Sequence, residues 1–203
     1  MDYAKKIMYQ SNYWYNDGLK KAQERDMSGA IIALRQSLQY NRENIAARNL
    51  LGLVYYGIGE VAEALVEWII SKNLKPHDNI ADSYIRNVQD SAKELESIYQ
   101  AIKKYNQCLG YCKQNGEDLA TIQLKQVIAA HPTFLKAYQL LALIYIQTNQ
   151  NTKARQLLLT ARKLDVSNTT TLNYLREITR QRGRHGKDVD RKKKKKDEAV
   201  EYS

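Results

Sequence analysis

Apolar residues recur at helical spacings along most of this 203-residue chain, most clearly between residues 45 and 78. Leu51, Gly52 and Tyr55 fall on one helical face, and Ala64, Trp68 and Ser71 fall on another. Two amphipathic helices joined by the tight turn Gly57-Ile58-Gly59 account for the whole stretch, which Pro76 closes. The small residues Gly52 and Ala64 sit where two helix backbones must approach closely, and Leu51, Tyr55 and Trp68 fill the space between. The pattern returns in steps of 34 residues. Residues 11–44 place Trp14, Gly18, Ala30, Leu34 and Ser37 at the equivalent points. Residues 101–134 place Cys108, Tyr111, Ala120, Leu124 and Val127 there, and residues 135–168 place Tyr138, Leu141, Ala142, Tyr145, Ala154, Leu158 and Ala161. The close-approach position is always small, and the second-helix position is always Ala. Both prolines of the chain, Pro76 and Pro132, land on the closing position, where a residue that ends helices belongs.

A 34-residue helix-turn-helix unit with this spacing resembles the tetratricopeptide repeat. The resemblance implies an all-α helix-turn-helix repeat solenoid, a right-handed superhelix whose first helices line a concave groove for extended or helical peptides. Some positions depart from the family pattern. Asp17 and Gln107 stand where Leu is usual, Lys21 where Tyr is usual, and Arg42 and Val166 where Pro is usual.

The chain divides into a repeat domain over residues 1–180 and a tail over residues 181–203. Within the domain, residues 79–100 break the 34-residue register. Asp78 is positioned to cap a short helix ending near Gln89, and Ser91 followed by Glu94 forms a capping box for a helix running to Gln114. This helical insertion either covers the exposed edge of the second repeat or sets an angle between two halves, and the angle is the expectation taken here. Residues 169–180 repeat the first-helix pattern with Leu172, Leu175 and Ile178. Arg176 stands at their close-approach position and marks a capping helix.

Charge changes the picture only at the C-terminal end. The tail carries nine Lys or Arg against five Asp or Glu with few apolar residues, so it is expected to be disordered. Its excess of +4 leaves +6 of the total +10 on the repeat domain. The run Lys192, Lys193, Lys194, Lys195, Lys196 is a candidate for weak, non-specific contact with polyanions. Membrane contact through the same run is expected only if the chain is a fragment of a longer anchored protein.

Catalytic constellations are hard to find. His77 and His131 adjoin the closing prolines and His185 is in the tail. Cys108 and Cys112 lie one helical turn apart and provide neither a disulfide framework nor a full metal ligand set. The sequence reading is therefore a cytoplasmic, non-catalytic protein–protein interaction scaffold without cofactor or metal, and the alternative is action on nucleic acid or membrane surfaces through the tail. By the family resemblance, Tyr15, Leu19, Asn49, Leu53, Tyr56, Tyr105, Lys136, Gln139 and Ile146 line the groove and are the candidate partner-binding residues. The basic clamp that some relatives use for a C-terminal carboxylate has Tyr15, Leu19 and Leu50 at its positions, with Lys136 the only cation, so that mode is rejected.

Overall fold

A computed structural model describes residues 3–181 of the chain. They form α1 (Tyr3–Gln23), α2 (Met27–Tyr40), α3 (Ile45–Gly57), α4 (Val61–Leu74), α5 (Ala81–Gln89), α6 (Ala92–Lys113), α7 (Glu117–Ala130), α8 (Leu135–Gln147), α9 (Asn151–Leu164) and α10 (169–181), with no strand among the described residues. The four expected helical hairpins are α1–α2, α3–α4, α6–α7 and α8–α9. The tail expectation, including Lys192 to Lys196, lies outside the described residues.

Local chemistry sets the element boundaries. Asp26, Asn44 and Ser91 each accept a hydrogen bond from the backbone N–H three residues on, fixing the starts of α2, α3 and α6. All four hairpin turns place one residue in the left-handed region at the same register: Arg25, Gly59, Asn115 and Asn149. Close packing inside each hairpin follows the expected positions. A Cβ on Gly52 would lie 2.2 Å from Trp68 Nε1, and one on Gly18 would lie 2.6 Å from Leu34 Cγ. Ala30, Ala64, Ala120 and Ala154 are all fully buried.

The structure also has a larger period than the hairpin. A shift of 90 residues maps α1 to α5 onto α6 to α10. The turns keep their lengths up to the loop before the closing helix, which spans residues 75–80 in the first unit and 165–168 in the second. Tyr15 meets Tyr105, Leu51 meets Leu141, Tyr55 meets Tyr145, and Tyr84 meets Tyr174. The chain is thus two copies of one unit, each made of two hairpins and a single closing helix. In this light the insertion at residues 79–100 has two parts. Residues 81–89 are the closing helix of the first unit, and the remainder starts the long first helix of the second.

The closing helix α5 packs on the edge of the second hairpin, where Ala81, Ile85 and Val88 join the core of Leu51, Val54 and Trp68. Covering the edge is therefore what residues 81–89 do, and the chain changes direction only after them, at Asp90 and Ser91. Asp78 does not cap α5. Its φ is +51°, and the side chain of Asn79 accepts from Ala81 N–H instead. The second unit has its own core around Leu124, Leu141, Leu158 and Ile178. Arg86 and Arg176 occupy the close-approach position in α5 and α10, and both side chains are exposed.

The second unit runs back beside the first, and the two meet along their loops. Val166 N–H donates to Arg25 O at 3.0 Å, and Leu135 N–H donates to Ile58 O at 3.2 Å. The hairpin turns of the first unit therefore abut the inter-hairpin loops of the second, in reversed order along the chain. A small apolar cluster of Ile58, Leu135, Tyr138 and Ala161 fills the seam, with Met27 and Leu157 packed against it.

Candidate functional site

The seam gathers polar groups as well as apolar ones. Asp165 is fully buried, and its two carboxylate oxygens accept from Ser28 N–H at 3.2 Å and from Ser28 Oγ at 2.6 Å. Ser167 Oγ bonds to the Asp26 carboxylate, and Arg25 Nη1 donates to Lys163 O at 3.3 Å. Further along, Lys136 Nζ pairs with the Glu60 carboxylate at 2.8 Å. Burial, with Glu63 adding to it, keeps the pKa of Glu60 raised despite the lowering effect of Lys136. For Lys136 burial pulls downward, yet the bond and charge of Glu60 outweigh it and the pKa rises. The two partners thus respond unequally, because the carboxylate is the more dehydrated of the pair.

Gly59 marks the closest approach of the two units. Its φ is +78°, and a Cβ there would lie 2.6 Å from Phe134 Cα. Only a residue without a side chain fits both the left-handed backbone and the neighbouring chain. Beside it, Tyr56, Val61, Ile98, Ala101, Ile102 and Phe134 line the apolar part of an open pocket of about 160 Å³. Phe134 also packs against Tyr105, with ring centroids 5.2 Å apart and the planes tilted by 45°.

The nine candidate groove residues separate into three groups in the structure. Tyr15, Leu19, Leu53 and Tyr56 sit on the first-helix face of the first unit, with Leu53 and Tyr56 exposed by 38% and 40%. Tyr105 and Lys136 come to the seam, which Tyr56 of the first group borders. Asn49, Gln139 and Ile146 are turned to internal work instead. Asn49 Nδ2 donates to Asn79 Oδ1 at 3.0 Å, and Gln139 Nε2 donates to Asn168 Oδ1 at 2.6 Å. Each amide thereby ties the last hairpin of its unit to the loop that leads into the closing helix. Ile146 is only 9% exposed and belongs to the second core. A polar residue at a groove position has no sequence mark that separates pinning a neighbour from meeting a ligand.

Chemically reactive groups do not converge here. Cys108 is fully buried, and burial pushes its thiol up to about 11. Cys112 is also raised, by burial and then by Glu117. A thiol raised in this way is a poor nucleophile at neutral pH. Among the described residues no three His, Cys, Asp or Glu side chains are grouped to hold a metal ion. No helix among them is long and apolar enough to cross a membrane.

No model of a known protein family matches this chain, and no curated protein matches it. Several solved structures are similar in fold. The crystal structure of MamA protein matches 76% of this chain and 91% of its own at 22% identity, with a TM-score of 0.39. YrrB, described as a TPR protein with an unusual peptide-binding site, matches 86% of this chain and 98% of its own at 12% identity and a TM-score of 0.38. The TPR domain of P58(IPK) matches 86% of this chain and 56% of its own at 12% identity, with a TM-score of 0.40. Likeness at this level carries no argument about this chain. The class of fold follows from the chain itself: two pairs of hairpins, each pair at 34-residue spacing with small residues at each close approach, give it a tetratricopeptide-like helical repeat fold.

Proposed function

We propose that the protein is a non-catalytic scaffold that holds a segment of a partner protein along the first-helix faces of its two units. The observation that carries this reading is the apolar surface left in solvent there. Leu53, Tyr56 and Leu109 are exposed by 38%, 40% and 38%, beside half-buried Tyr15, Leu19 and Tyr105. Contiguous exposed apolar surface is what interaction sites present. Tyrosine suits such a face because its ring packs while its hydroxyl stays hydrated. Replacing Tyr15, Leu53 and Tyr56 together with Ala tests the reading. Partner capture from the native cell is expected to be lost while helicity and melting stay nearly unchanged. A stable triple variant that captures the same partners as before would refute it.

A second, weaker activity is contact with polyanions through Lys192 to Lys196. The repeat domain favours it in one place: α9 carries Lys153, Arg155, Arg162 and Lys163 and no acidic residue. Such binding is expected to lack sequence preference and to fall steeply with added salt, because it is driven by counterion release. Duplex binding at low and near-physiological salt, with and without residues 182–203, checks it. Tight sequence-selective binding that survives the deletion would instead make nucleic acid the main ligand.

A further inference from the structure

The cavity at the seam has no occupant among the described residues, and neither unit builds it alone. Tyr56 and Val61 come from the first unit, Ile98, Ala101 and Ile102 from the second, and Phe134 from the loop that Gly59 meets. Its volume is about 160 Å³. An apolar cavity of about 150 Å³ has room for benzene, so this space is large enough for one bulky apolar side chain. Two ionisable residues stand at its border, Glu94 and His131. His131 is engaged, with Nε2 3.0 Å from Ser97 Oγ and 3.2 Å from Ser97 O. Glu94 is exposed, and its carboxylate makes no ion pair among the described residues. A mouth with an unpaired negative charge over an apolar interior favours a ligand with the opposite charge next to an apolar group.

We propose that this cavity is the anchor site of the scaffold, taking one aromatic or branched apolar side chain of the partner segment, with a Lys or Arg beside it paired to Glu94. The inference rests on the groove reading above and narrows its ligand. It also gives the doubled architecture a purpose, since the walls come together only when the second unit folds back onto the first. Tyr56 is exposed by 40% and forms the lip, so a segment lying along the first unit reaches the cavity where that face ends.

The test begins with a random twelve-residue peptide library displayed on phage and selected against the whole protein. Selected peptides are expected to share an aromatic, Leu or Ile residue next to a basic one. A fluorescein-labelled selected peptide is then measured by polarisation against wild type, Ala101→Leu, Glu94→Lys, and a Tyr15→Ala, Leu19→Ala variant. Ala101→Leu fills the cavity and is expected to weaken binding tenfold or more, as is replacing the apolar anchor of the peptide with Ala. Glu94→Lys is expected to weaken binding as well, and a peptide with its basic residue changed to Glu should recover it. That charge swap decides the matter even if Ala101→Leu unfolds, because Glu94 is exposed. Peptides that need Tyr15 and Leu19 but ignore both Ala101→Leu and Glu94→Lys would overturn the anchor and leave the groove reading standing. A library that yields no peptide sensitive to any of these variants would overturn both.

Discussion

The two units share a backbone plan and solve its packing differently. In the first, Gly52 and Trp68 face each other across the second hairpin, and the indole N–H also donates to Asn49 O at 3.1 Å. In the second, Ala142 and Leu158 hold the same positions, a slightly larger residue against a smaller one. What recurs is a small residue facing a large one, and in a close-packed interior the size of each limits what the other can be. The loops before the closing helices diverge further. In the first unit Asn79 Nδ2 donates to Ser71 O and Oγ and to Lys75 O, so the loop binds its own unit. In the second, Asp165 and Ser167 bind Ser28 and Asp26 of the first unit. Both loops thus close their own cap, the second through Asn168 Oδ1 accepting from Thr171 N–H, but only the second also docks on the other unit.

Breaking the large-small match should produce the largest effect. Trp68→Ala is expected to destabilise by about 3–5 kcal/mol in urea melts. Gly52→Ala alone should overpack against the indole and cost about 1–3 kcal/mol. Adding Trp68→Leu to Gly52→Ala recreates the pair of the second unit and should cost less than the two changes summed. Strict additivity would show that the two sites do not share one packing solution.

The docking loop gives the next effect. Asp165→Ala leaves Ser28 N–H and Oγ without their partner, a loss of about 1–3 kcal/mol. The position equivalent to Asp165 in the first unit is exposed Lys75, where replacement by Ala should stay within about 0.5 kcal/mol. Equal responses at the two positions would erase the distinction drawn between the loops.

Closing helices come third. Arg86→Ala and Arg176→Ala remove the bulky charge from the position that is Gly52 or Ala142 in the preceding hairpin. Stability should change little, while sedimentation should reveal concentration-dependent self-association. Monomeric behaviour at high concentration would leave the guarding role of these arginines without support.

The smallest effect concerns the Glu60–Lys136 pair and its pH dependence. Glu60 has a raised pKa in the folded state, chiefly through burial, so above its ordinary range the folded chain holds more protons there than the unfolded one. Stability from this group is therefore full at low pH and lost as pH rises through the folded pKa. Glu60→Gln should flatten that decline. Lys136→Met should steepen it, because the cation that favours the carboxylate is gone. Lys136 is half exposed, so either change should stay under about 1 kcal/mol at neutral pH. A decline unchanged in both variants would assign the pH dependence to other groups.

Sequence alone determined what is local and periodic. The hairpin register was legible because Gly18, Gly52, Cys108 and Ala142 must be small and Ala30, Ala64, Ala120 and Ala154 must fit between helices. The cap at Ser91 was legible for the same reason, since its partner is three residues away. The position of Arg176 on the last helix followed from that register, although the matching Arg86 was hidden by reading residues 79–100 as an insertion. Tertiary structure decided the rest. Nothing along the chain signals that Asp165 docks on Ser28, 137 residues away, or that Gly59 serves both as a turn residue and as the contact point with Phe134. It also decided that Asn49 and Gln139 pin loops, while Tyr105 and Lys136 come to the seam, which Tyr56 borders. Hydrophobic periodicity specifies which face of a helix is buried within its own hairpin and its nearest neighbours. How two finished units meet depends on loop atoms whose partners are distant, and a one-dimensional pattern carries no record of that pairing.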